Sequence, residues 1–284
     1  MSQLLKIEFS RAFCNRKYYV ALFIVVALAL ISALYGIQRH EMLLMKEASP
    51  TEWGATSMDG CYVYWMSLDD VVPFEGLLYQ LAPLLATIPY ACSMRQELDF
   101  GYANHIFSRT PRSKYFIAKY LATFVSGGCV TLIPSTVNFV TLACFVPAYV
   151  PSVEQLLYTG VYPEMPWSHL FYTNPLLYVV LYSLVAFCLC GLWAVAVLGL
   201  SFVVHNRVAL VSGSYLVALL SGFVSTRIYV MLGYVVFPEF SLIELMRACE
   251  VNLSHTFFVM GVWAFTLLVV SLALPMFRLG DDVL

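Results

Sequence analysis

Charge is what this sequence has least of. Only 11% of its 284 residues are Asp, Glu, Lys or Arg, while 61% are hydrophobic. Soluble domains carry roughly 25% charged residues. A soluble core has no room for this apolar fraction, so the composition excludes a soluble protein and predicts an all-α integral membrane protein. Acids are also missing from the interior of every long apolar run. That disfavours proton- or sodium-coupled transport, which needs intramembrane carboxylates, and a charge-lined ion pore. There is no G-x-x-x-x-G-K-[ST] loop, so the chain does not hold ATP by a P-loop, and neither H-E-x-x-H nor CxxC occurs. No metal, no cofactor on this chain and no nucleic-acid partner is expected. The eight cysteines fall mostly in apolar runs, where Cys serves as a small hydrophobe. Cys61 and Cys249 both fall in loops expected on one side, and spacing alone leaves a disulfide between them open. Ser212-Gly213-Ser214 brings an intramembrane serine protease to mind, but neither His205 nor His255 falls near enough along the spans to serve it. No internal repeat, direct or inverted, is evident.

What is present is a series of apolar runs. A spanning helix needs about 20 mostly apolar residues, and six segments qualify: 18–37, 77–94, 116–146, 176–204, 208–224 and 257–277. The third is interrupted by Gly127, Gly128 and Pro134. The patch Ile228 to Phe237 is too short to span and reads as a re-entrant or interfacial hairpin; the alternative is one long, broken fifth span. Residues 38–74 form a large outer loop, acidic and aromatic, whose Trp53, Tyr62, Tyr64 and Trp65 read as interfacial anchors.

Of the 15 Lys and Arg residues, all but Arg39, Lys46, Arg227 and Arg247 fall on one side of this six-span scheme. Most acids fall on the other. The positive-inside rule therefore places both termini in the cytoplasm. The 17-residue lead is too polar, and the apolar run behind it too long, for a cleaved signal; it is expected to stay as an anchor. Residues 2–17 are expected to lie in the headgroup layer as an interfacial helix, with Leu5, Phe9 and Phe13 on the apolar side and Lys6, Arg11, Arg16 and Lys17 among its polar residues.

The segment RQELDFGYANHIFSRTPRSKYFIAK, Arg95 to Lys119, stands apart because a chain this apolar has no internal need for it. Gln96 to Phe107 can form a short helix with Leu98, Phe100, Ile106 and Phe107 as apolar knobs beside Glu97 and Asp99. Such a surface suits docking to another protein, since buried apolar anchors give affinity and charges fix register. Gly101 lets the backbone bend or approach closely. Pro111 ends the helix, and Arg109, Arg112 and Lys114 hold the loop at anionic headgroups. Lys119 is expected to snorkel back to the same interface.

The order of a basic lead helix, a span, a large outer loop, a second span, then Glu97, Gly101, Thr110-Pro111-Arg112-Ser113-Lys114 and Lys119 resembles the permease subunits of type-2 ABC exporters. The topology matches throughout, but the sharp motif is this one segment, and Tyr102 stands where that family often has Thr. The resemblance implies that residues 2–17 are an elbow helix and that 95–115 form a cytoplasmic coupling loop docking on a separate ABC ATPase subunit through Glu97, Leu98, Phe100, Gly101, Ile106, Phe107, Arg109, Arg112 and Lys114. It also implies re-entrant outer helices between spans five and six. The chain would not itself be an enzyme: ATP and Mg would sit on the partner. It would pair with a second permease chain, as a homodimer or heterodimer, in a bacterial plasma membrane and export an amphipathic or apolar substrate. The alternative is a membrane-embedded scaffold or sensor that transports nothing.

Overall fold

The computed structural model describes residues 2–47, 60–69, 73–100, 111–151, 159–163, 165–231, 240–248 and 256–281. Among them no strand occurs. The helices follow in the order α1 (Ser2–Phe13), α2 (Arg16–Glu47), α3 (Pro73–Thr87), α4 (Ser93–Asp99), α5 (Arg112–Phe145), α6 (Ser168–Thr173), α7 (Pro175–Leu200), α8 (Arg207–Met231), α9 (Leu242–Leu245) and α10 (Thr256–Asp281). Five of these, α2, α5, α7, α8 and α10, are long and apolar enough to cross a membrane. The chain is a multi-pass α-helical membrane protein.

The second expected span is where the helix count departs from the sequence reading. Residues 77–94 are not one helix: the apolar helix stops at Thr87, five residues turn, and α4 begins at Ser93. Pro89 has no N–H to give to a helical ladder. The last helical bond before it is Ile88 N–H to Leu84 O at 3.3 Å, an oxygen that the Thr87 hydroxyl also reaches at 2.7 Å, and beyond it Pro89 O accepts from the Asn15 amide at 3.1 Å. The third expected span, by contrast, is continuous. α5 runs through Gly127, Gly128 and Pro134 without a break.

Those glycines serve packing. A Cβ on Gly128 would lie 2.7 Å from Phe187 O, and one on Gly191 would lie 2.7 Å from Phe124 O. Only residues without a side chain let α5 and α7 approach this closely, as small residues do where helices cross in membranes. Around this crossing Ser135 and Ser183 share a hydrogen bond at 3.0 Å, and Trp193, Ala194 and Val197 fill the core beside α3 and α10.

α2 reaches to Glu47, so the first ten residues of the expected outer loop are helical. At its 32 residues it is roughly 48 Å long, well beyond a hydrocarbon core of about 30 Å. The loop's aromatic segment is packed inside the chain. Residues 60–69 are buried, with Tyr64 and Trp65 at 1% exposure; Trp53 lies outside the described residues. Asn138 of α5 holds this segment down. Its amide donates to Ala29 O at 3.0 Å, and its oxygen accepts from Met66 N–H at 3.1 Å. Arg39 grips both oxygens of Asp69 at 2.9 and 3.1 Å, and Ala248 N–H reaches Ser67 O at 2.8 Å. Cys61 is a buried free thiol, and Cys249 lies outside the described residues.

Between the last two long helices, the expected re-entrant patch divides. Ile228 to Met231 continue α8, residues 232–239 lie outside the described residues, and four-residue α9 is buried against α3, α8 and α10.

Candidate functional site

α1, the starts of α2 and α5, the α3–α4 break and the end of α7 meet at one end of the bundle, termed here the basic end. Residues 4, 8 and 12 fall on one stripe of α1 because they are four apart. The stripe reads Leu4, Glu8, Ala12, and it faces inward: Glu8 is 1% and Ala12 0% exposed. Ala12 packs with Tyr90 and Ala122, and Leu4 packs beside Met94, Tyr115, Leu198 and Phe202. The helix lies across the foot of α5. It ends at Phe13, and Asn15 caps α2 by accepting from Lys17 N–H at 3.1 Å. Arg16 and Lys17, expected in the interfacial helix, therefore belong to the first turn of α2. Leu5, Phe9 and Phe13 are half-buried, the last two with rings stacked at 6.0 Å.

The inward Glu8 is half of a buried ionic cluster. Glu97, from α4, is the other half. Arg11 Nη1 donates to Glu97 Oε1 at 2.8 Å and lies 3.5 Å from Glu8 Oε1. Lys119 Nζ and the Tyr115 hydroxyl both donate to Glu97 Oε2, and Tyr90 donates to Glu8 Oε2. Lys119 Nζ also lies 3.2 Å from the Tyr115 oxygen and 5.3 Å from the Tyr90 and Tyr115 ring centres. Lys119 is fully buried and Glu97 is 5% exposed. Burial, and after it the Glu8 carboxylate, hold the Tyr90 hydroxyl protonated, far above its ordinary range. Two carboxylates face two cations, so the cluster is neutral. Both oxygens of Glu97 are occupied, which is what makes a charge tolerable out of water.

This arrangement corrects two expectations. Glu97 was expected on the docking surface, but its carboxylate points into the chain. Lys119 was expected to snorkel outward, but it is enclosed. The reason is the turn at 88–92, after which Met94 of α4 packs beside Tyr115 and Glu97 meets Tyr115 and Lys119 of α5. Of the other docking candidates, Phe100 is 80% exposed, and Arg112 and Lys114 are exposed on the first turn of α5. Gly101, Ile106, Phe107 and Arg109 lie outside the described residues, as does the Leu98 side chain.

Sequence reasoning missed Glu8, Asn15, Tyr90 and Tyr115. Glu8 carried a signal: it is the one acid in the lead helix, in register with Leu4 and Ala12. Tyr115 and Lys119 are four apart on a helix, another legible pairing. Tyr90 and Asn15 depend on the turn at Pro89 and carried none.

No group of His, Cys, Asp and Glu that could bind a metal occurs among the described residues. α4 leads to residue 101, α5 begins at 112, and Glu97 ties both to α1. Compared with known proteins, the chain matches no family model, no curated protein and no solved structure.

Proposed function

We propose that this chain is the permease subunit of an ABC exporter, with the basic end facing the cytoplasm and the segment from Ser93 to Tyr115 coupling it to a separate ATPase. The observation that carries the reading is the Glu97 junction. A partner pressing on Phe100 and the residues that follow would act on α4. Through Glu97 that push reaches α1 by Arg11 and α5 by Lys119 and Tyr115. α5 in turn packs closely on α7 through Gly128 and Gly191. A force at the loop is thus delivered to the helices that would line a path, without any charge moving through the membrane.

The division of labour also follows. The chain has no P-loop, so hydrolysis falls to the partner. The core along α5, α7 and α10 presents Ser, Thr, aromatic and small apolar side chains, which suits an amphipathic or apolar substrate. A second permease chain, identical or related, completes the path.

Reconstitution with the cognate ATPase tests this. The expected result is ATP hydrolysis that rises with substrate and depends on this chain. Hydrolysis indifferent to its presence would leave a membrane scaffold or sensor as the better account.

A further inference from the structure

We propose that the basic end seats one anionic phospholipid, its phosphate against Arg16 and Lys17 and one acyl chain in the groove between α2 and α3. The proposal does not depend on the export reading. A cavity of about 670 Å³ opens between the α1–α2 joint and the α3–α4 break, walled by Arg16, Lys17, Asn15, Pro89 and Glu97 among others. A second hollow, of about 270 Å³, begins at the same two cations and Ile88 and runs along Val20, Ile24 and Leu85. The shared residues Arg16, Lys17 and Ile88 join a polar chamber to an apolar trough.

The charge of the chamber is unbalanced. Its one carboxylate, Glu97, is already bound by Arg11 and Lys119. Arg16 and Lys17 make no side-chain ion pair or hydrogen bond among the described residues. The amino end of α2 adds its positive dipole at the same place. Burial pushes the Cys92 thiol on the cavity wall up, and Lys17 and Arg207 offset part of that rise.

The trough decides between a lipid and a small anion. Val20 and Ile24 are 60% and 37% exposed, so the trough opens sideways to the bilayer. It descends roughly 10 Å along α2 from Lys17 to Ile24. A free phosphate would fill only the chamber. A phospholipid fills both, with its headgroup at the cations and its chain where the wall turns apolar.

The test is native mass spectrometry of the full chain in mild detergent, with phosphatidylglycerol or phosphatidylcholine of the same chain length added at equal concentration. The expected result is preferential retention of phosphatidylglycerol. Arg16→Gln with Lys17→Gln should weaken it about 25-fold, at about fivefold per cation. Val20→Trp, which keeps both cations and fills the trough, should weaken it as well. All three positions are exposed, so the variants should keep the parental melting temperature. Equal retention of the two lipids, or undiminished phosphatidylglycerol on either variant, would overturn the proposal. Displacement of phosphatidylglycerol by inorganic phosphate at the lipid's own concentration would also overturn it, and would assign the chamber to a small anion.

Discussion

Replacing Glu97 by Gln removes one charge from the basic-end cluster and leaves its volume almost unchanged. The cluster then holds Glu8 against Arg11 and Lys119. Lys119 suffers most, because it is fully buried and Glu97 is the one carboxylate that pairs with it among the described residues. Arg11 is 39% exposed and can turn to water, so its share is small. Breaking a buried pair by removing one partner costs about 3–5 kcal/mol, since the other charge stays behind uncompensated. At about 2–4 °C per kcal/mol for large domains, the melting temperature in detergent should fall by roughly 10 °C. The same reasoning predicts rescue. Adding Lys119→Met to Glu97→Gln removes the stranded charge, and with it the penalty for an uncompensated buried ion. The double variant should therefore melt within a few degrees of the parent, well above either single variant. Thermal unfolding of all four proteins closes the cycle. A double variant as damaged as the two singles combined would refute the reasoning, because it would mean that Glu97 and Lys119 stabilise the fold independently.

Other consequences are equally direct. Gly191→Ala should cost about 1–3 kcal/mol, because the added Cβ meets the Phe124 carbonyl and backbone cannot swing aside; thermal unfolding reads this. Asn138→Leu should free the 60–69 segment, stranding the buried Met66 N–H at about 1–3 kcal/mol. In the parent, Cys61 should resist thiol reagents, since burial pushes its thiol up to about 11, and in Asn138→Leu it should become reactive. Phe100→Asp should leave the melting temperature within about 2 °C, as exposed positions do, while uncoupling ATP hydrolysis from substrate in the reconstituted complex; unchanged coupling would remove Phe100 from the docking surface.

The long helices were legible because their hydrophobic runs need no tertiary information. α5 shows the limit of local rules: Gly127, Gly128 and Pro134 read as interruptions, yet packing on α7 makes the glycines an asset. The second span was misread for the opposite reason. The run 77–94 is apolar enough to be continuous, and one proline decides where it turns. That turn carried the largest consequence for the site, since it moves Glu97 from a surface to a buried ionic cluster. The segment around Glu97 was singled out from sequence, but the direction of its carboxylate was not, because Glu8 and Lys119 are far from it along the chain. The burial of Tyr64 and Trp65 was likewise hidden, since it depends on Asn138, a polar residue in the middle of an apolar helix.

The central claim is that the segment after Glu97 presses on an ATPase. A photo-crosslinking amino acid placed at Phe100 in the full chain, expressed in its own membrane and irradiated, tests it most directly. The account predicts one dominant adduct, with a chain that carries a Walker A loop, and in stoichiometric yield after purification in mild detergent. Efficient labelling of lipid or of other membrane chains, with no Walker A protein in the adduct, would contradict it.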